Sequence, residues 1–229
     1  MSTKNVLITG AGGSLGRACV QQFVNEGYQA LAVLSPGKKL DFGSGVTVYN
    51  ADLEDEKKTE ALIEEVVRKH QSIDIAIFTV GGFAMGDISK TTGADINSMI
   101  ALNFNTAYYI ARNVLAQMKN QSHGGRMVFV GARPVTDANA GKGMIAYTLS
   151  KTMVMKLTEL INAEGKDKHI VATTVIPSII DTEANRKSMP KADFSKWVTP
   201  EAIAGAIFFT TTEAGAALRE PVLKMYSDV

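Results

Sequence analysis

Thr9-Gly10-Ala11-Gly12-Gly13-Ser14-Leu15-Gly16 follows a short apolar run and precedes a segment with helical periodicity. Glycines between a strand and a helix let the backbone approach a pyrophosphate placed at the helix N-terminus. The spacing is not Gly-x-Gly-x-x-Gly, because Leu15 stands where the third glycine would be and Gly16 follows it. The stretch therefore predicts a phosphate-binding strand–turn–helix unit, the alternative being a glycine-rich turn that binds nothing.

Outward from this turn, short β-branched runs alternate with longer amphipathic segments, which is typical of a parallel sheet covered by helices. Strands are predicted at residues 5–9, 30–34, 46–49, 73–79, 126–131, 170–176 and 222–225. Helices are predicted at 15–26, 55–70, 96–119, 144–164 and 200–211. We therefore predict an α/β fold, a Rossmann-type doubly wound parallel sheet of about seven strands with helices on both faces.

The length favours one domain over residues 1–229. The polar stretch 183–197 lacks apolar periodicity and interrupts the α/β rhythm just after a strand. We interpret it as a lid or substrate loop.

Composition narrows the partners. The 24 Lys and Arg nearly balance the 23 Asp and Glu, so there is no excess of basic residues of the kind that binds nucleic acid. A small-molecule substrate is expected instead. The lone Cys19 cannot form an internal disulfide, and no paired Cys/His spacing suggests a metal. These features predict a reducing, cytoplasmic setting. The absence of an apolar run near the ~20 residues of a membrane helix predicts no membrane association.

The end of the second predicted strand bears on cofactor choice. Folds that bind NAD often place a carboxylate there, on the adenosine ribose. This chain has Leu34-Ser35 instead, followed by Lys38 and Lys39. Ser35 and the lysines could accept a 2′-phosphate, so NADP(H) is favoured over NAD(H), unless these lysines are only a solvated loop.

Tyr147 and Lys151 stand four residues apart at the start of a predicted helix, so their side chains share a face. A neighbouring ammonium, together with the positive charge of an oxidised nicotinamide, would lower the pKa of tyrosine from its ordinary value near 10. The pair alone is common by chance. Combined with the glycine turn upstream, it predicts a proton donor working near neutral pH.

Together these motifs resemble those of the short-chain dehydrogenase/reductase family. The turn is similar to the family's Thr-Gly-x-x-x-Gly-x-Gly, with Ser14 in place of the middle glycine, and Tyr147-x-x-x-Lys151 is similar to its catalytic motif. The resemblance implies an NAD(P)-dependent oxidoreductase. It also implies that Lys151 binds the nicotinamide ribose and that Asn103 supports a water-linked proton relay.

Further cofactor contacts are implied by the same resemblance. Asp52 and Leu53 match the adenine contacts, Thr182 matches the carboxamide contact, and Phe78-Thr79-Val80-Gly81-Gly82 replaces a family stretch but lacks both of its asparagines. The implied cofactor-binding set is Gly10, Gly12, Gly13, Ser14, Leu15, Gly16, Ser35, Lys38, Asp52, Leu53, Val80, Gly81, Gly82, Lys151, Pro177, Ile180 and Thr182.

One departure concerns the catalytic serine that the family has after the fifth strand. Val130-Gly131-Ala132-Arg133-Pro134 contains no serine, and Ala132 takes its place. The donor that would stabilise a developing oxyanion is therefore missing. Either Arg133 or a backbone N–H substitutes, or the substrate needs no such donor.

Alanine at this position is shared with the dihydropteridine reductases, which reduce quinonoid dihydropterins. Stretches 81–84, 131–133, 143–147 and especially 181–197 resemble those enzymes. The resemblance implies a quinonoid dihydropterin-like substrate, because hydride addition to an imine leaves charge on nitrogens that protonate readily. The implied substrate contacts are Phe83, Ala132, Arg133, Met144 and Met189.

Two alternatives stay open, because dihydropteridine reductases usually use NADH with an acidic residue after the second strand. One is an NADPH-dependent ketone or aldehyde reductase acting on a carbonyl or oxoacyl substrate. The other is a non-catalytic NADP-binding sensor, which would need the glycine turn but not Tyr147 and Lys151 in register. The family commonly pairs its long fourth and fifth helices, which implies a homodimer or homotetramer.

Overall fold

The computed structural model describes residues 3–227, which form one sheet covered by helices on both faces. The strands are β1 (Asn5–Thr9), β2 (Gln29–Leu34), β3 (Val46–Asn50), β4 (Ile75–Phe78), β5 (Gly125–Val130), β6 (Ile170–Pro177) and β7 (Val222–Met225). All pairings are parallel, in the order β3-β2-β1-β4-β5-β6-β7. The predicted fold class is confirmed. The strand order reverses between β1 and β4, and ligands bind at such a switch point.

The helices are α1 (Ser14–Asn25), α2 (Glu56–His70), α3 (Gly93–Ile100), α4 (Thr106–Lys119), α5 (Ile145–Gly165), α6 (Glu183–Ser188) and α7 (Pro200–Thr211). Neighbouring residues of β1 show how both faces of the sheet are filled, because side chains alternate across a strand. Leu7 packs with α2, α4 and α5, whereas Ile8 packs with α1 and α7. Every residue of β1 is consequently buried, which explains its unbroken apolar run.

The region 96–119 departs from the single helix that was predicted. Helix α3 begins earlier, because Thr92 and Asp95 form a reciprocal capping box. Its last turn then widens into a π-helical turn over Ala101–Asn105 before α4 continues. Apolar periodicity does not reveal such a turn, and π turns are frequent at functional sites.

Two other boundaries differ from expectation. Strand β4 is shorter than the predicted 73–79, because the Ile73 amide binds the Gln121 side chain and the Thr79 hydroxyl binds the Thr9 carbonyl. The stretch 183–197, interpreted as a loop, contains α6 and a 3-10 turn over Phe194–Lys196. Within residues 3–227, no helix combines the length and apolar character needed to cross a membrane.

Candidate active site

A cleft of about 330 Å³ opens at the carboxyl ends of the central strands, at the switch point of the sheet. Nine residues of the implied cofactor-binding set line it: Gly10, Gly12, Gly13, Ser35, Lys38, Asp52, Leu53, Val80 and Gly81. Sequence reasoning missed eight other lining residues: Val33, Leu34, Pro36, Ala51, Glu54, Thr79, Leu102 and Thr106. Most of these lie at strand ends, so the strand order would have identified them.

The glycine turn is shaped by close backbone approaches. Gly10 has a φ of +65°, and a side chain there would come within 2.8 Å of the Thr79 hydroxyl oxygen. A side chain at Gly16 would overlap the Gly10 carbonyl oxygen. The start of helix α1 therefore packs closely against the end of β1, and Leu15 and Gly16 are buried.

The first turn of α1 is open to an anion. Its N-cap residue, Gly13, offers no side-chain acceptor, and the turn contains no acidic residue. By contrast, Asp55 caps α2 and accepts from two backbone amides. The unpaired amides of the first turn and the positive end of the α1 dipole fit a pyrophosphate, for which Ser14 supplies the first helical N–H.

Lys38 lies across the glycine turn. Its Nζ donates to the Gly12 carbonyl at 3.1 Å, and the Arg17 Nε donates to the same oxygen at 3.3 Å. Lys39 is not among the lining residues, and those that follow β2, namely Ser35, Pro36 and Lys38, include no carboxylate. The edge of the cleft beside β2 therefore carries positive charge.

The neighbouring part of the cleft lining, after β3, carries acidic side chains. Asp52 and Glu54 both line the cleft there, together with the buried Leu53. Asp52 lies 3.6 Å from the Lys58 ammonium.

Lys151 is a buried cation at the inner end of the site. It is 7% exposed, and its Nζ donates to the carbonyl of Val130 at the end of β5, at 2.9 Å. Burial lowers the pKa of Lys151 to about 8. One helical turn earlier, burial raises the pKa of Tyr147 to about 12. The protein by itself thus keeps the Tyr147 phenol protonated, in contrast to the lowered pKa expected beside an oxidised nicotinamide.

Asn103 connects the loop after β4 to α5 from its buried position in the π turn. Its Oδ1 accepts from the Gly82 amide at 2.8 Å, and its Nδ2 donates to the Gly82 carbonyl at 3.2 Å and to Ser150 Oγ at 3.0 Å. Ser150 Oγ in turn donates to the Tyr147 carbonyl at 2.8 Å. Sequence reasoning missed Ser150, since only the fold brings it to Asn103.

Gly81 leaves room for both polar groups. A side chain at Gly81 would come within 2.7 Å of Asn103 Oδ1 and 3.2 Å of Lys151 Nζ. The structure therefore brings together residues of three separate predicted motifs, namely Asn103, Lys151 and the loop after β4.

Of the implied substrate contacts, Phe83 lies against the ring of Tyr147. The Phe83 ring meets the Tyr147 ring edge-on, with centroids 5.1 Å apart. Ala132 lies two residues after the end of β5 and is 4% exposed. Met144 immediately precedes α5.

Arg133 and Met189 are placed differently. The Arg133 guanidinium lies 5.0 Å from the Tyr226 ring centroid, and its Nε lies 3.9 Å from an Asp137 carboxylate oxygen. Met189 ends α6, and none of the described hydrogen bonds or ring contacts joins it to Tyr147.

The segment after β6 contains three residues of the implied cofactor-binding set. Pro177 ends β6, and Ile180 pairs with Val198. Thr182 caps α6, its Oγ1 accepting from the Asn185 amide at 3.1 Å. Because a hydroxyl can accept and donate at once, Thr182 keeps its proton available for a second partner. These three residues are not among those that line the 330 Å³ cleft.

Comparison with known families assigns the chain to one group of proteins. The model of the family described as short chain dehydrogenase matches residues 4–193. The chain belongs to the short chain dehydrogenase family. It is therefore an NAD(P)-dependent oxidoreductase acting on a small molecule, and the predictions of family and of enzyme activity are confirmed.

Individual relatives are distant. The dihydropteridine reductase of Dictyostelium discoideum is 26% identical over 218 residues, covering 93% of this chain and 89% of that protein. The uncharacterized oxidoreductase YuxG of Bacillus subtilis is 29% identical over 193 residues, which are 78% of this chain but only 27% of that protein. Other relatives of similar identity are named for oxoacyl and sugar substrates.

Among solved structures, ElxO with NADP bound superimposes with a TM-score of 0.87 at 24% identity, covering 98% of this chain and 97% of that chain. At this identity the likeness shows the shared fold.

Proposed function

We propose that this protein uses NADPH in preference to NADH to reduce a flat, quinonoid dihydropterin-like substrate, with Tyr147 as the proton donor. The observation that carries the substrate class is the buried Ala132, which follows β5 where the family's serine would stand. A site with a methyl group at this point suits a reaction that develops no alkoxide.

The residues of the cleft fit a phosphorylated dinucleotide. The uncapped first turn of α1 and the glycine backbone would hold the pyrophosphate, and Ser35 and Lys38 would bind the 2′-phosphate. Asp52 and Leu53 would contact the adenine. When bound, the dinucleotide supplies the hydride.

The nicotinamide half would lie along the inner end of the site. Lys151 would bind the ribose hydroxyls, and Thr182 would use its free hydroxyl proton on the carboxamide. Val80, Gly81 and Gly82 leave an open backbone surface beside them, because Asn103 fixes Gly82 on both its amide and its carbonyl.

Tyr147 donates the proton in this scheme. Because burial raises the pKa of Tyr147 to about 12, the phenol holds its proton at neutral pH until a substrate nitrogen gains electron density. The Lys151 ammonium stabilises the phenolate left behind. Asn103 and Ser150 hold this part of α5 against the loop after β4, which keeps Tyr147 at one position.

Arg133 does not need to replace the missing serine in this scheme. Its guanidinium interacts with Tyr226 and Asp137. A quinonoid imine places the developing charge on nitrogen, which protonates readily. Tyr147 alone is then sufficient as the donor.

A ketone or aldehyde reductase is the second candidate, favoured by the relatives named for oxoacyl and sugar substrates. The deciding experiment measures initial rates of NADPH and NADH oxidation with quinonoid dihydropterin, a naphthoquinone and a panel of small carbonyls. We expect quinonoid dihydropterin with NADPH to be fastest. Efficient reduction of ordinary ketones, with no reduction of quinonoid dihydropterin, would contradict the proposal.

We also infer one cytoplasmic domain over residues 1–229 that assembles into a homodimer or homotetramer. Leu149 and Leu160 support assembly, because they are exposed on α5 and lie about three turns apart on one face. Tyr108 is exposed on α4. Light scattering of the purified chain should give the mass of a dimer or tetramer, and a monomer would contradict this inference.

A further inference from the structure

The segment after β4 is fixed at two points. Gly82 is held by both polar atoms of the Asn103 side chain, at 2.8 and 3.2 Å. Four residues later, the Gly86 amide donates to the Gly143 carbonyl at 2.7 Å, and the Gly86 carbonyl accepts from the Ile145 amide at 3.1 Å. We call the hydrogen bonds at Gly82 and at Gly86 the two clamps, and residues 83–85 between them the bridge. Because Gly143 and Ile145 lead into α5, the bridge is anchored to the helix that carries Tyr147.

The bridge presents apolar side chains to solvent. Phe83 is 57% exposed and Met85 is 68% exposed, although the backbone on either side is held by hydrogen bonds. Phe83 meets the Tyr147 ring. The Met85 methyl group lies over Gly143, where an added side-chain carbon would be 3.7 Å from it. Large exposed apolar side chains beside a reactive group are typical of a binding surface.

We propose that Met85 is a specificity-determining residue whose thioether, with Phe83, forms an apolar wall that selects a flat, uncharged ring. This inference rests on the proposed function and extends it to substrate recognition. Phe83 and Met85 carry no formal charge, and neither does Met144, which follows Gly143.

The chemistry of the wall favours one class of substrate. A polarizable thioether makes favourable contacts with an aromatic ring, worth about threefold to tenfold in affinity. An anionic substituent placed against the same wall would lose hydration and find no opposite charge on these three side chains. The wall therefore favours uncharged fused planar rings over anionic substrates such as sugar acids or phosphorylated acyl carriers.

Calorimetric titration tests the role of Met85 in binding. The full-length protein is first saturated with NADP+, the oxidised form of the proposed cofactor, so no hydride is present and no turnover occurs. The ligands are a naphthoquinone and a fully oxidised pterin. The variants are Met85→Gln, which keeps the length but adds polarity, and Met85→Leu, which stays apolar. Ile88→Gln is the matched control, because Ile88 lies beyond the Gly86 clamp and is 82% exposed.

We expect Met85→Gln to weaken ring binding about threefold to tenfold and Met85→Leu to restore most of the loss. Ile88→Gln should leave ring affinity unchanged, and all variants should bind the dinucleotide as the native protein does. In turnover, Met85→Gln should raise KM for the ring substrate and leave kcat unchanged.

Equal ring affinity in native and Met85→Gln protein, an equal loss in Ile88→Gln, or no ring binding to the native protein would overturn the assignment of Met85. Failure of the proposed function gives a different result. In that case Met85-dependent ring binding persists, while protein loaded with NADPH does not reduce quinonoid dihydropterin.

Discussion

Replacing Lys151 by Met measures the cost of burying the cation of the proposed site. Burial lowers the pKa of Lys151 from 10.5 to about 8. At about 1.36 kcal/mol for each pKa unit, the charged side chain costs about 3 kcal/mol of folding free energy. Losing the bond to the Val130 carbonyl offsets about 1–3 kcal/mol of the gain. We expect Lys151→Met to be about 1 kcal/mol more stable than the native protein near pH 7, and inactive.

The pH dependence of the free energy of unfolding separates the cost of the buried Lys151 charge from the effect of the lost hydrogen bond. The unfolded chain keeps the lysine proton up to about pH 10.5, whereas the folded protein loses it near pH 8, so the unfolded state binds more protons in between. The contribution of Lys151 to native stability therefore rises through this window, and its cost is present in full only below about pH 8. Relative to Lys151→Met, we expect the native free energy of unfolding to rise by about 2 kcal/mol between about pH 7 and pH 9.5.

Urea unfolding of both proteins, followed by circular dichroism across this range, provides the two free energies. Tyr147, whose pKa is raised from 10.0 to about 12, acts in the opposite direction but only above its ordinary value, so the range excludes it. Burial raises the pKa of Cys19 from 9.0 to about 12, which also acts in the opposite direction, but Cys19 is present in both proteins and cancels in their difference. Lys156→Met is the matched control, because Lys156 is exposed on the same helix. A difference between native and Lys151→Met that does not change with pH would refute the reasoning.

Two further predictions concern the cofactor and the substrate. Lys38→Ala should weaken NADPH binding about tenfold or more and leave NADH nearly unchanged, because a charge-assisted bond to phosphate contributes about 1.5–3 kcal/mol. Lys39→Ala is the control, since Lys39 is exposed and does not line the cleft, and equal titration curves for the two cofactors in native protein would contradict the assignment. Ala132→Ser should raise the rate of ketone reduction, by at most about 10²–10³-fold, and leave quinonoid reduction almost unchanged. An equal gain for both substrate classes in parallel rate assays would argue against the role given to Ala132.

The sequence was sufficient for features that depend on local spacing. Short β-branched runs that alternate with amphipathic helical segments predicted the parallel sheet, and Leu7 and Ile8 of β1 belong to the cores on its two faces. The glycine turn identified one wall of the cleft, because close backbone approach at Gly10 and Gly16 leaves no room for a side chain. These signals lie within a few residues of each other along the chain.

Features that depend on the fold were not predictable in this way. The bonds from Asn103 to Gly82 and Ser150 join residues that are 21 and 47 positions apart. The pKa of Tyr147 in the protein alone follows from burial, which periodicity does not quantify, whereas the lowered pKa expected from the sequence concerns the state with an oxidised nicotinamide bound. The exposure of Met85 likewise depends on the two clamps that flank it.

Single-turnover hydride transfer is the most direct test of NADPH-dependent reduction with Tyr147 as the proton donor. Native protein and Tyr147→Phe are each loaded with NADPH and mixed with quinonoid dihydropterin, and the loss of NADPH absorbance is followed in time. We expect rapid oxidation by the native protein and loss of most of the rate in Tyr147→Phe, with NADPH affinity unchanged. Equal rates in the two proteins, or no oxidation by the native protein, would contradict the assignment.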